Sequence, residues 1–291
     1  MKISIIIPVH NCAKYIAQTL DCIRLQTMAL KEIEVLIYLD GCTDETSDIV
    51  NHYGRKWPEL NMTVMCGEKP AGPGYARNLL ARMAQGEYIH FMDADDLINT
   101  DFYRAMYDAA HGADADVAVC GFICERDAGH TLLYDWPLVV SVPQDKVDIT
   151  RVDILGYSFR YMIRRKLWIG AKLGYPVDMK ICEDMLPMNQ MVFVANRLIT
   201  VPGAIYEYKN RPGSLLNDRT SPNVNNENYK RATKMVSDFL DSHGIVKKHE
   251  PSTYTKFLLM DVIPVATIKK VHRRTWVRLF GAIPFVKLKN I

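Results

Sequence analysis

The chain has 291 residues, 48% of them hydrophobic and 24% charged, and a formal net charge of +3. A chain of this length can bury a full core, and so small a net charge argues against nucleic acid as a partner. No apolar stretch approaches the roughly 20 residues of a membrane span, and the N-terminal apolar run is too short for a secretory signal. The seven cysteines are scattered without a CxxC pair, which suits a reducing compartment. We therefore expect a cytoplasmic protein.

Three rounds of strand, polar turn and helix open the chain. The β-branched run 3–7 predicts a buried strand that Pro8 ends, and Asn11 is placed to cap the helix that follows. Residues 34–39 predict a second strand, which leads through Asp40 to a helix capped by residue 43 or 44. Residues 63–65 predict a third strand, followed by a helix that stops at Gly86.

A fourth strand, at 88–92, is followed at once by the three carboxylates of Asp93, Asp95 and Asp96. Carboxylates this close repel one another unless a cation lies between them, so the cluster favours a hard metal such as Mg²⁺ or Mn²⁺. The alternative from the same residues is a solvated turn that caps a helix beginning at Asp101.

Alternation of strands and helices predicts an α/β fold for residues 1–125, a three-layer α/β/α sandwich with a mostly parallel sheet. Asn11, Asp40 and Asp93 then lie at the same end of the sheet, where a nucleotide-sized crevice is expected. The turn at 72–77 does not fit a dinucleotide-binding fingerprint, because Arg77 stands where a third small residue is needed. Arg77 can instead meet a phosphate or pair with one of the acids.

Residues 126–222 are expected to form the acceptor-binding half of the same domain. Strands are predicted near 158–163, 199–201 and 205–208, and residues 209–226 form a polar loop suited to a lid or acceptor-binding role. Glu183 and Asp184 begin a predicted helix, where an acidic pair by itself indicates only a favourable helix-dipole interaction.

Residues 223–291 predict a helical, basic and amphipathic C-terminal extension. Its last part carries lysine or arginine and no acid, at 269, 270, 273, 274, 278, 287 and 289. This composition suits an anionic membrane surface. The alternative is a tail that packs on its own domain or on a partner subunit.

Five segments in the same order make the chain resemble the family 2 glycosyltransferases, nucleotide-sugar-dependent enzymes of the GT-A fold. They are SIIIPVHN at 4–11, EVLIYLDGCTD at 34–44, GPGYARN at 72–78, YIHFMDADD at 88–96 and the acidic pair at 183–184. Each segment is a weak signal alone, and the five in register are a strong one.

The resemblance implies a role for each matching residue. Asp40 would hydrogen-bond the base, Asp95 with Asp93 would hold Mn²⁺ or Mg²⁺, and Asp184 would be the general base of an inverting single displacement. The residues implied in nucleotide-sugar binding are Pro8, Val9, His10, Asn11, Asp40, Arg77, Asp93 and Ala94. Residues 1–125 would then be the nucleotide-sugar-binding half of the domain, and residues 126–222 its acceptor-binding and catalytic-base half.

Two departures from the family pattern shape the expected substrate. Leu39 stands where many members have a second acid, which puts the nucleotide's identity in doubt, although a UDP-sugar is the favoured donor. The Gln-x-x-Arg-Trp signature of processive synthases is missing, so we expect transfer of one sugar at a time to a lipid-linked or oligosaccharide acceptor, as in bacterial surface polysaccharide assembly. The cytoplasmic enzyme would lie peripherally on the inner face of the membrane.

Two other functions fit the predicted nucleotide pocket. A sugar nucleotidyltransferase would need a Gly- and Arg-rich loop after the first strand, and residues 8–11 do not provide one. A non-catalytic subunit would keep the fold and use the basic tail to dock on a membrane or on a partner transferase.

Overall fold

The computed structural model describes residues 1–125, 131–209, 211, 222–246, 253–259, 263–271, 274–279 and 286–288. The backbone forms two compact units, Met1–His243 and Gly244–Ile291. The first unit contains every residue that the sequence assigns to the candidate site.

A sheet of nine strands crosses the first unit in the order β3-β2-β1-β4-β8-β6-β9-β5, and β7 also pairs with β9. The strands are β1 Ile3–Val9, β2 Ile33–Asp40, β3 Met62–Gly67, β4 Tyr88–Phe91, β5 Leu97–Ile98, β6 Val117–Cys124, β7 Val139–Val140, β8 Tyr161–Arg164 and β9 Leu198–Tyr208. The two predicted strands at 199–201 and 205–208 are therefore one strand, with an irregularity where β6 passes from Cys120 to Gly121.

The sheet is mixed, and most of its residue pairs belong to parallel ladders, as predicted. Strands β3, β2, β1 and β4 pair in parallel as expected. Beyond them β8 lies antiparallel between β4 and β6, and β5 and β7 are antiparallel to β9. Because β8 and β9 come from residues 126–222, both predicted halves build one sheet.

Helices cover both faces of this sheet, which confirms the predicted α/β/α class. Along β1, Ile3, Ile5 and Ile7 join the core that also contains the buried faces of α1 and α4. Helix α3 packs on β1 and β2 with Ala76 and Leu80 fully buried. The helices are α1 Ile16–Arg24, α2 Thr46–Lys56, α3 Pro73–Met83, α4 Phe102–Gly112, α5 Pro143–Thr150, α6 Arg165–Gly170, α7 Met185–Val194 and α8 Pro222–Ser242.

Pro8 lies inside β1 and does not end it, contrary to the prediction. The carbonyl of Ile6 accepts a hydrogen bond from Met92 just past β4, so the backbone nitrogen of Pro8, two residues on, faces the same side. Strand β4 has ended by then, since its last pair is Ile6 with Phe91. The missing N–H of Pro8 therefore costs no ladder bond on that side.

Asn11 does not cap α1, which begins at Ile16 without a side-chain cap. Asn11 lies in the left-handed region, with φ +47°, and its side chain bonds the following βα loop. The cap residue of α2 is Glu45, and neither of the two predicted caps, although Asp44 accepts the N–H of Thr46 at 3.1 Å.

Helix α8 belongs to the first unit, although the sequence places the C-terminal extension from residue 223 onward. Ala232, Val236 and Leu240 are at most 2% exposed, and the ring of Phe239 lies 5.6 Å from that of Phe193 on α7. Burial of this apolar face ties α8 to α7, so the compact unit ends at His243.

The second unit contains strands where a helix was predicted. Strands β10 Thr253–Leu259, β11 Ile263–Val271, β12 Arg274–Leu279 and β13 Val286–Leu288 form an antiparallel sheet in chain order. The helical prediction for these residues is wrong, because short runs rich in Val, Ile, Thr and aromatic residues suit strands. The side chains of the basic segment lie outside the described part of the chain, as does most of the predicted loop at 209–226.

None of the helices within the described ranges is long and apolar enough to cross a membrane. All seven cysteines are free thiols, and Cys12, Cys120 and Cys124 are buried, in line with the absence of a paired spacing.

Candidate active site

The loops that follow β1 and β2 are joined at one edge of the sheet by side-chain hydrogen bonds. The Oδ1 atom of Asn11 accepts the N–H of Thr43 at 2.8 Å. The N–H of Ala13 donates to Oδ2 of Asp44 at 3.1 Å. These bonds fix the two loops that flank the predicted nucleotide pocket at Pro8, Val9, His10 and Asn11.

Asp40 ends β2 beside this edge, and its carboxylate is held by backbone donors. Oδ1 accepts the N–H of Ala71 at 2.6 Å, and Oδ2 accepts the N–H of Gly72 at 2.8 Å. The Nδ1–H of His10 donates to the backbone carbonyl of Asp40 at 2.6 Å. Asp40 is 5% exposed, so its carboxylate orders the turn before α3.

The turn after β4 is anchored from within through Asp96. The hydroxyl of Tyr206 accepts the N–H of Asp93 at 3.1 Å and donates to Oδ2 of Asp96 at 2.9 Å. The N–H of Lys209 donates to Oδ1 of Asp96 at 2.8 Å. Asp96 is fully buried, and burial raises the pKa of its carboxyl well above the usual range. A solvated turn, the alternative that the sequence left open, is therefore wrong for Asp96.

Asp93 and Asp95 are the two acids of this turn that remain partly exposed. Between them, the buried carbonyl of Ala94 accepts the hydroxyl of Thr19 on α1 at 2.9 Å, which fixes the turn to that helix. Burial, followed by the charge of Asp93, raises the pKa of Asp95 to about 6. No ion pair joins Asp95 to another side chain in the described part of the chain.

This arrangement fits a divalent cation that the substrate helps to bind. Adjacent carboxylates that disfavour each other's charge offer hard oxygen ligands, which Mg²⁺ and Mn²⁺ prefer. Within the described residues no group of three or more Asp, Glu, His or Cys side chains could hold a metal on its own. Magnesium sites of that kind use one or two carboxylates and complete the coordination with substrate phosphates and water.

Arg77 joins the β4 acids to the acidic pair before α7. Its Nη2 lies 2.7 Å from Oδ1 of Asp93, and its Nη1 lies 2.5 Å from Oε1 of Glu183. The guanidinium carbon lies 5.3 Å from the centre of the Tyr175 ring. Because the Arg77 side chain is only 7% exposed, its positive charge interacts mainly with these two carboxylates.

Asp184 lies next to this group without an ion pair of its own among the described residues. Its Oδ2 accepts the N–H of Ser158 at 3.3 Å. Burial raises the pKa of Asp184 to about 7, and the charges of Glu183 and Asp93 act in the same direction while Arg77 opposes them. A carboxylate with a pKa near neutrality is suited to general base catalysis.

The structure thus gathers four of the predicted side chains, Arg77, Asp93, Asp95 and Asp184, into one electrostatically coupled group. Asp40 and His10 form a second group with the turn before α3. Pro8 and Val9 lie within β1, and Val9 and Ala94 are buried, so these residues offer mainly backbone to a ligand.

Sequence reasoning missed four residues at this site. They are Tyr157, Tyr206, Tyr208 and Arg211. The guanidinium of Arg211 donates to the backbone carbonyl of Asp95 and lies 4.4 Å from the centre of the Tyr15 ring. The alternation of Tyr206 and Tyr208 at the end of a strand was the available signal. It does not show that this strand end meets the turn after β4.

The family comparison matches residues 4–168 to Glycosyl transferase family 2. The chain is 26% identical over 220 residues to the Bacillus subtilis protein named uncharacterized glycosyltransferase EpsJ, covering 73% of this chain and 62% of that protein. It is 26% identical over 262 residues to the poly(ribitol-phosphate) beta-N-acetylglucosaminyltransferase TarS of Staphylococcus aureus, covering 89% of this chain and 44% of that protein. The chain therefore spans 44% to 62% of the length of these two relatives.

Solved structures show the same fold. The crystal structure of S. aureus TarS 1–349 in complex with UDP aligns with a TM-score of 0.68 and 24% identity, covering 83% of this chain and 66% of that chain. A mannosyltransferase from Pyrobaculum calidifontis, in complex with GDP-Man and Mn²⁺, aligns with a TM-score of 0.54 and 18% identity, covering 85% of this chain and 76% of that chain.

Proposed function

Because the chain belongs to glycosyl transferase family 2, we propose that it transfers one sugar from a nucleoside-diphosphate sugar to a hydroxyl group of an acceptor. Its mixed sheet with helices on both faces is the GT-A glycosyltransferase architecture. In the proposed reaction the acceptor oxygen bonds to the anomeric carbon while the bond from that carbon to the diphosphate breaks, so the configuration inverts. The acceptor proton goes to a carboxylate, and the nucleoside diphosphate leaves.

The carboxylates of Asp93 and Asp95 are assigned to the donor side of this reaction. With the diphosphate they would hold Mn²⁺ or Mg²⁺, which would stabilise the charge that develops on the leaving group. The partly exposed position of both acids and the raised pKa of Asp95 support this role. The Mn²⁺ named with GDP-Man in the P. calidifontis structure supports a divalent metal.

Asp184 is assigned as the general base, and the pairing of Arg77 is the observation that carries the proposal. Arg77 pairs with Asp93 and Glu183, and it leaves Asp184 as the acid beside them with no ion pair of its own among the described residues. A partly buried carboxylate beside other acids gains a proton readily. It can therefore accept the proton of an attacking hydroxyl near neutral pH.

The nucleotide is assigned to the edge formed by residues 8–11, Asp40 and the turn before α3. The oxygens of Asp40 each accept one backbone bond and keep further lone pairs, through which the residue would read the base. A UDP-sugar is the favoured donor, and the TarS structures named with UDP and UDP-GlcNAc support it.

The acceptor is proposed to be a lipid-linked or oligosaccharide molecule of a bacterial surface polymer. The poly(ribitol-phosphate) transferases among the relatives support a polymer of this kind. We also propose that the basic segment 269–289 holds the enzyme on an anionic membrane surface, because it has seven Lys or Arg residues and no acid.

A panel of UDP- and GDP-sugars with Mn²⁺ and candidate acceptors tests this function. We expect release of the nucleoside diphosphate with one donor, and nuclear magnetic resonance of the product should show the opposite anomeric configuration to the donor. Release of pyrophosphate from a sugar phosphate and a nucleoside triphosphate would instead identify a nucleotidyltransferase. Failure of every nucleotide-sugar to bind, measured by calorimetry, would identify a non-catalytic subunit.

A further inference from the structure

Tyr157 and Tyr208 lie next to residues that bind acids of the candidate site. Tyr157 directly precedes Ser158, whose N–H binds Asp184, and Tyr208 directly precedes Lys209, whose N–H binds Asp96. The centres of the two tyrosine rings are 6.1 Å apart, with the ring planes at 33°. Tyr157 therefore lies near the proposed base, and Tyr208 lies near the turn that carries Asp93 and Asp95.

The hydroxyls of these two tyrosines differ from those of the other tyrosines around the site. Tyr206 bonds Asp93 and Asp96, and Tyr175 donates to the hydroxyl of Ser158 at 3.0 Å. In the described part of the chain, no hydrogen bond reaches the hydroxyl of Tyr157 or Tyr208, although both residues are partly buried. The hydroxyl of a partly buried tyrosine normally has a hydrogen-bond partner, so these two hydroxyls are available to a ligand.

Both rings pack against the same buried aromatic residue, Phe159. The ring of Phe159, which is 3% exposed, stacks on Tyr157 at 5.3 Å and on Tyr208 at 5.4 Å. The ring of Tyr206 also stacks on Phe159, with the ring centres 4.2 Å apart. A ligand that meets Tyr157 and Tyr208 therefore finds two rings whose orientation is already fixed, which lowers the entropy cost of binding.

We propose that Tyr157 and Tyr208 bind the sugar that is transferred, through their ring surfaces and their free hydroxyls. This assignment rests on the proposed function, because in a single displacement the transferred sugar lies between the leaving diphosphate and the base. Tyr208 adjoins the first of these positions and Tyr157 adjoins the second. A hydroxylated ring offers apolar C–H faces to an aromatic surface and hydroxyls to phenol groups, so its chemistry matches both parts of the pair.

The test compares binding of UDP with binding of the UDP-sugar that the wild-type chain uses, by calorimetry with Mn²⁺. Tyr157→Phe and Tyr208→Phe keep the rings and remove only the hydroxyls. We expect each variant to bind UDP as the wild type does and the UDP-sugar about threefold to tenfold more weakly, the usual effect of one lost hydrogen bond. The melting temperature should stay unchanged, because no protein partner is lost.

Tyr53→Phe is the matched control, since the hydroxyl of Tyr53 donates to Asp21 at 3.1 Å away from the site. It should lower the melting temperature slightly and leave both affinities unchanged. An unchanged preference between UDP and UDP-sugar in Tyr157→Phe and Tyr208→Phe would overturn the proposal. So would a raised KM for the acceptor with normal donor binding, which would assign the pair to the acceptor, or an equal loss of both affinities with a lower melting temperature. If the wild type binds UDP but no UDP-sugar, the proposed function itself fails.

Discussion

At the scale of single residues, Arg77 determines how charge is distributed in the candidate site. It pairs with Asp93 and Glu183 and is almost completely enclosed. Asp184 adjoins this group without such a pair among the described residues, and its folded-state pKa of about 7 stands well above the ordinary 3.8. A raised carboxyl pKa means that ionisation of Asp184 works against folding.

The sign of this effect gives a prediction for stability. Below pH 4, Asp184 is protonated in both states and has no effect, and between pH 4 and 7 the unfolded chain loses the proton first, so its contribution to folding falls as pH rises. Above pH 7 the full penalty remains. We expect Asp184→Asn to melt at the wild-type temperature near pH 4 and several degrees higher at pH 8. Each kcal/mol of destabilisation that the substitution removes should raise the melting temperature by about 2–4 °C.

The measurement is a thermal melt across this pH range without metal or nucleotide. Asp108→Asn, which removes the charge of an exposed acid on α4, is the control for the loss of one carboxylate. A difference between Asp184→Asn and wild type that stays constant from pH 4 to pH 8 would show that Asp184 titrates normally.

At the scale of elements, local pattern was enough to predict the strands and helices that carry the first carboxylates. The β-branched run of β1 and the apolar spacing of α1 match the buried residues Ile16, Leu20 and Ile23, because period and burial correspond directly. These elements place Asp40 and the acid turn at one edge of the sheet, as predicted.

Other elements depend on contacts between distant parts of the chain, which no local pattern reports. Strand β8 inserts between β4 and β6, and β9 brings Tyr206 under the turn that begins 113 residues earlier, at Asp93. The hydrogen bonds of Asn11 and Asp40 to neighbouring loops are of the same kind. Sequence therefore picks out the acids of this turn as candidates, and the structure shows that Asp96 supports the turn while Asp93 and Asp95 are partly exposed.

At the scale of the whole molecule, the chain combines the unit that contains the candidate site with a second unit whose sequence is strongly basic. Residues 269–289 carry seven positive side chains and no acid. Each cation near an anionic bilayer contributes about 1 kcal/mol to binding. This part of the chain was expected to be helical, and its strands leave the charge argument unchanged because that argument rests on composition.

Replacing these seven residues with glutamine should release the protein from anionic vesicles. We expect more than tenfold weaker co-sedimentation with vesicles that contain phosphatidylglycerol, while turnover of a water-soluble acceptor stays at the wild-type rate. Neutral phosphatidylcholine vesicles are the control, and neither protein should bind them strongly. Equal sedimentation of the variant and the wild type with anionic vesicles would exclude this membrane contact.

The central claim is that Asp95 serves the donor and Asp184 serves the acceptor, and donor binding compared with transfer separates the two roles. Asp95→Ala should lose most of its Mn²⁺-dependent affinity for the nucleotide-sugar in calorimetry. Asp184→Asn should bind the nucleotide-sugar as the wild type does and transfer it at least a hundredfold more slowly, since general base catalysis contributes about 10²–10⁴-fold. Normal transfer by Asp184→Asn, or unchanged donor binding by Asp95→Ala, would contradict the account.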